Sequence, residues 1–111
     1  MLRESQSAVV VRNEVWRGCL ASEPYEAGWA QEVTLFVLAL KESIGAPGHA
    51  HVEISPDGIH WACEGTSFAL PTRKDGVTFA RVGHFGNWLR LAIEMPEGAE
   101  LTAVATIHTK A

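Results

Sequence analysis

The sequence predicts an all-β fold, a jelly-roll-like antiparallel β-sandwich of about seven or eight strands. Three observations point there. Helix signals are nearly absent, short runs rich in Val, Ile, Thr, Phe and Trp recur, and Gly, Pro and Asp divide them at the spacing of all-β folds. Of 111 residues, 47% are hydrophobic and 20% charged, the balance of one globular domain over residues 1–111 with a single modest core.

The elements follow in order. Ala8–Arg12 is a β-branched run, and Glu14–Arg17 a shorter strand candidate. Glu32–Lys41 alternates Val33, Leu35, Val37 and Ala39 with Thr34, Phe36, Leu38 and Leu40, so both faces are apolar. Such a strand is either central and covered on both sides or part of a subunit contact. A helix competes here, because Ala, Glu and Leu are good formers; the β-branched and aromatic content favours the strand.

Ala50–Ile54 and Ile59–Glu64 flank Ser55-Pro56-Asp57-Gly58, where Pro presets φ and Asp and Gly tolerate the left-handed region. Val77–Val82 follows a second Asp-Gly turn, Arg73-Lys74-Asp75-Gly76. Leu89–Met95 and Leu101–Thr109 are separated by Pro96-Glu97-Gly98-Ala99, where Pro removes a ladder donor. Short turns between consecutive strands imply that residues 49–110 form an antiparallel meander.

The stretch HAHVEISPDGIHWACEG, residues 49–65, raises the question of a metal. A four-residue loop at 55–58 places Ile54 opposite Ile59, with Ala50, Val52, Ile54, Ile59, Trp61 and Cys63 facing inward. His51, Glu53 and His60 then share the outer face, with Glu53 opposite His60. Nitrogen and oxygen donors of this kind suit zinc. A flat strand face gives little shelter, so the ordinary reading is a solvated face with one Glu–His pair. A pH-sensitive contact is the third possibility. No metal and no cofactor is expected.

The formal net charge is −4, and no basic cluster exceeds Arg73–Lys74, which argues against a nucleic-acid partner. The longest apolar run, Val33–Leu40, is too short for a transmembrane helix, and Ala8–Val11 is too short for the apolar core of a leader. Cys19 and Cys63 have no CxxC spacing and are expected as buried or half-buried free thiols. A cytoplasmic location is the default, with a virion or extracellular assembly as the alternative.

No GxSxG or HExxH string appears, and Gly83-His84-Phe85-Gly86-Asn87 lacks the following helix that would bind phosphate. Its glycines suit a bend with Phe85 anchoring the corner. The chain is not expected to be an enzyme. Among the four tryptophans, Trp88 with Arg90 is the leading candidate for an exposed ligand platform, followed by Trp29 with Tyr25. Such aromatics stack against sugar rings, so a glycan is a possible partner. The competing reading packs Trp88 against a loop.

VEISPDGIHW followed by VTFARVGHFGNWLRLAIE resembles small β-sandwich proteins of phage virions and bacterial surface assemblies. The likeness spans about residues 50–109; GCLASEPYEAGWA lies outside it. It implies a non-catalytic protein that forms or decorates a symmetric assembly, as a homo-oligomer or larger. Ala8, Val9, Val10 and Val11 carry no charge or Pro to block edge pairing, so they are the expected oligomer contact. A carbohydrate-binding module and a small metal-dependent enzyme are the alternatives.

Overall fold

Two antiparallel sheets face each other in the computed structural model, which describes residues 5–83 and 85–110, with side chains from Val15 onward. The strands are β1 (Ser5–Trp16), β2 (Cys19–Ala21), β3 (Tyr25–Glu26), β4 (Glu32–Ala39), β5 (His49–Ser55), β6 (Ala62–Ala69), β7 (Val77–Gly83), β8 (Trp88–Glu94) and β9 (Leu101–Lys110). One sheet, here sheet A, runs β1-β9-β4-β7. The other, sheet B, runs β2-β8-β5-β6, with β3 also paired to β8.

Since β2 and β3 lie end to end along β8, they fill one strand position and the order is that of a jelly roll. The expected fold class holds. The expected meander does not, because β6, β7, β8 and β9 alternate between the sheets and, among the described residues, only β5 and β6 form a consecutive pair. Each turn after β6 carries the chain across the sandwich, so that both faces of the core are filled from one alternating pattern.

Ala8–Arg12 and Glu14–Arg17 fall on one strand, β1, which ends one residue earlier at Trp16 and which a bulge between Val9 and Val11 and another between Val11 and Glu14 keep in register with β9. Both segments border charged residues, which hid their continuity. The strand reading of β4 is correct, and its neighbours β9 and β7 make it central in sheet A.

Period-two alternation builds the core. Val33, Leu35, Val37 and Ala39 of β4 join Leu101, Ala103, Ala105 and Ile107 of β9 on the inner face of sheet A. Opposite them lie Leu89, Leu91 and Ile93 of β8 and Ala50 and Val52 of β5. Small alanines in sheet A thus complement larger residues in sheet B, which lets the layers interdigitate. Trp16 closes one end, and Phe85 is buried at the corner as expected, beside the left-handed Gly86.

Candidate functional site

The β5–β6 hairpin departs from its expected register. Ile54 lies opposite Ala62 and Glu53 opposite Cys63, so the loop is longer than residues 55–58. The cause is local. The Asp57 carboxylate accepts hydrogen bonds from the Ile59 and His60 amides, both at 2.8 Å, and holds those residues in the turn. The Ser55 hydroxyl accepts from the Gly58 amide at 2.8 Å and donates to Asp57 at 2.9 Å. Farther along, Glu64, Gly65 and Thr66 stand against Val52 alone, and Gly65 adopts φ +109° in this bulge.

The outer and inner assignments shift accordingly. Ile59 is 75% exposed, Trp61 is half-buried rather than in the core, and Cys63 is exposed rather than inward. Cys19, on the outer side of the edge strand β2, is exposed as well, so neither thiol is buried. The ladder sets them three strands apart in width and about four residues apart in length, too far for an internal disulfide.

The three metal candidates are not brought together. His51 and Glu53 share the outer face of β5, but His60 sits in the turn with Nδ1 2.6 Å from Asp57 Oδ2. Glu53 accepts instead from Arg90 Nε at 2.6 Å. Among the described residues, no group of three or more His, Cys, Asp or Glu is placed to hold a metal.

The aromatic candidates also separate. Trp88 lies on the outer face of sheet B, but its indole is covered by the turn: a Cβ on Gly58 would come within 3.2 Å of the ring. Tyr25 pairs with Leu89 and packs inward against the core, while Trp29 stands on the loop before β4. Arg90 finds a different partner. Its guanidinium lies 4.3 Å from the centre of the Trp61 ring, a cation–π contact worth about 0.5–2 kcal/mol.

Two outer surfaces emerge. On sheet B, Arg90, Glu53, His51 and Cys63 surround a depression of about 510 Å³ over Ala21 and Ala92. On sheet A, the outward residues of three neighbouring strands form cross-strand rows: Leu38 with Val77 and Val104, then Phe36 with Phe79 and Thr106. Phe36 is 5.9 Å from Phe79 and meets His108 edge-on at 5.1 Å. Val15, opposite Thr102, extends the apolar surface at one end. Arg81, Thr34 and His108 form a polar row at the other.

Ala8, Val9, Val10 and Val11 lie on the edge strand of sheet A, and their side chains fall outside the described residues. Their backbone carries the bulge between Val9 and Val11, which makes the free edge a poorer template for pairing than its composition implies. The sequence shows the second apolar face of β4 plainly but its continuation on β7 less so, where outward Val77 and Phe79 alternate with inward Ala80 and Val82. The alternation in VTFARV was the available signal.

No family model matches the chain, and no curated protein matches it. Solved structures do share its fold. SPBc2 prophage-derived protein YomS superposes with a TM-score of 0.60 at 7% identity, over 100% of this chain and 96% of that one. PBSX exported protein XepA gives 0.57 at 11% identity, over 99% of this chain and 37% of its own. A chain of the infectious bursal disease virus Gx strain gives 0.54 at 8%, over 97% and 32%. The chain therefore has the β-sandwich fold of phage and viral proteins, as the resemblance of its hairpin and β8 implied.

Proposed function

We propose that this protein is a non-catalytic structural module that forms or decorates a symmetric assembly, and that it associates with further copies of itself through the outer face of sheet A. One observation carries the reading: Phe36, Leu38, Val77, Phe79 and Val104 form a contiguous apolar surface on three hydrogen-bonded strands. Phe79 is 48% and Val77 53% exposed, and contiguous surfaces of this kind mark interaction sites on soluble proteins.

A second copy fits for reasons of shape and area. Sheets pack face to face about 10 Å apart with inner side chains interdigitated, and a two-fold axis through Phe36 would set the same patch against itself. The molecule measures 45 × 29 × 19 Å, so its broad face has room for the roughly 800 Å² per partner of a standard interface. The polar row of Arg81, Thr34 and His108 would form one rim. Sharing a fold with phage and viral proteins supports this reading only by analogy.

Light scattering of the purified protein tests it. The expected mass is a multiple of the protomer, and Phe79→Asp together with Val77→Asp, at positions already solvent-exposed, should reduce it to one protomer with the melting curve of a folded protein. A wild-type monomer at concentrations of about 100 μM, far above the Kd of a stable dimer, rejects the proposal.

A further inference from the structure

We infer that the depression on the outer face of sheet B binds a neutral, ring-sized polyol, a sugar residue. The inference is independent of self-association, since the two surfaces lie on opposite sides of the sandwich.

The depression comes from side-chain size. Ala21 of β2 and Ala92 of β8 are directly paired, and both point outward, so the middle of the face is low. Taller side chains stand around them: His51 on β5, Glu53 and Arg90 in the next cross-strand row, and Cys63 on β6. The space of about 510 Å³ is within the range of small-ligand sites.

Its polar groups define the ligand. Arg90 Nε donates to Glu53 Oε1 at 2.6 Å, which neutralises the pair. The guanidinium has four further N–H groups by its chemistry, and the carboxylate a second oxygen, so donors and acceptors lie side by side. Adjacent hydroxyls on a ring each donate and accept, and so match such a pair. Glu94 also lines the depression, so its acidic groups outnumber Arg90 and an anion is disfavoured. The alanine methyls of the floor suit the C–H face of a sugar.

The site is also ordered before binding. Arg90 is held both by the Glu53 carboxylate and by the Trp61 ring, so little side-chain freedom remains to be lost. Trp61 does not itself line the depression; it acts by positioning Arg90. That gives a spectroscopic readout, because a ligand on Arg90 changes the environment of the Trp61 indole.

The test is a fluorescence and NMR titration of the full chain with glucose, galactose, mannose and N-acetylglucosamine, beside inorganic phosphate and putrescine. Saturable binding of at least one sugar is expected at millimolar concentration, the range of shallow open sites, with shifts at His51, Trp61 and Ala92. Glu53→Gln should weaken it about tenfold or more by removing a charged acceptor. Ala21→Phe, at an exposed edge position, should abolish binding with the melting curve unchanged, because it fills the depression without touching the ion pair. Failure of all four sugars to saturate overturns the inference. So does sugar binding that survives Ala21→Phe, or saturation by phosphate or putrescine in place of the sugars.

Discussion

Asp57 shows how much one side chain can decide. Its carboxyl is held well below the usual carboxylate range, first by the His60 amide, then by the His60 imidazole and the Ile59 amide, with the Ser55 hydroxyl adding less. A carboxylate whose folded pKa is depressed contributes order that is fully present above its unfolded value of about 3.9 and is lost only as pH falls below that, through the folded value. The turn should therefore keep its geometry in mild acid. An NMR titration from about pH 5 to pH 3 is expected to show no carboxylate-type inflection at the Asp57 carboxyl carbon; a midpoint near the ordinary carboxylate value of about 4 would contradict the hydrogen bonding described. The Ile59 bond also explains why that side chain stands in solvent: its amide is committed to Asp57, so it cannot begin the next strand.

At the scale of elements, β2 is too short to be fixed by its own ladder. It pairs with β8 only through Cys19, Leu20 and Ala21. Ser22 continues the attachment, donating its amide to the Leu91 carbonyl at 2.8 Å and accepting the Leu91 amide on its hydroxyl at 2.8 Å. Ser22→Ala leaves a buried amide of the central strand without its acceptor, and should cost about 1–3 kcal/mol in urea unfolding. A change within a few tenths of a kcal/mol would mean the bond adds nothing. Neither β2 nor β3 was legible from the sequence, because three residues and two residues cannot display a period. The long strands were legible for the opposite reason. β4, β8 and β9 alternate without interruption, so each residue's face follows from its parity. Parity failed at β6, where the Asp57 turn took up extra residues and the Gly65 bulge shifted the phase again. The candidate sites inherited that failure: the Glu53–Arg90–Trp61 group depends on register between three segments, whereas the apolar outer face of β4 is written in a single strand.

On the scale of the whole molecule, the pairing of distant segments dominates. β9 is bonded to β1 on one side and to β4 on the other, and Ser5 lies opposite Lys110. β8 likewise joins β2 and β3 to β5. Removing residues 100–111 would split sheet A into β1 and the β4–β7 pair, and would bare the inner faces of Leu35 and Val37. Such a truncated chain is expected to show no cooperative thermal transition by circular dichroism; a sharp transition would show that β9 is dispensable.

The place of β9 also bears on how the molecule comes into being. A ribosome delivers the polypeptide from its amino end, so β1 emerges ahead of β9 and stays unpaired on its β9 side until all the strands between them have been made. Closing a loop of that span is slow, and through the delay the apolar rows of β4 have no cover. Misassembly therefore has its opening during synthesis, before the last strand of the sheet is in place.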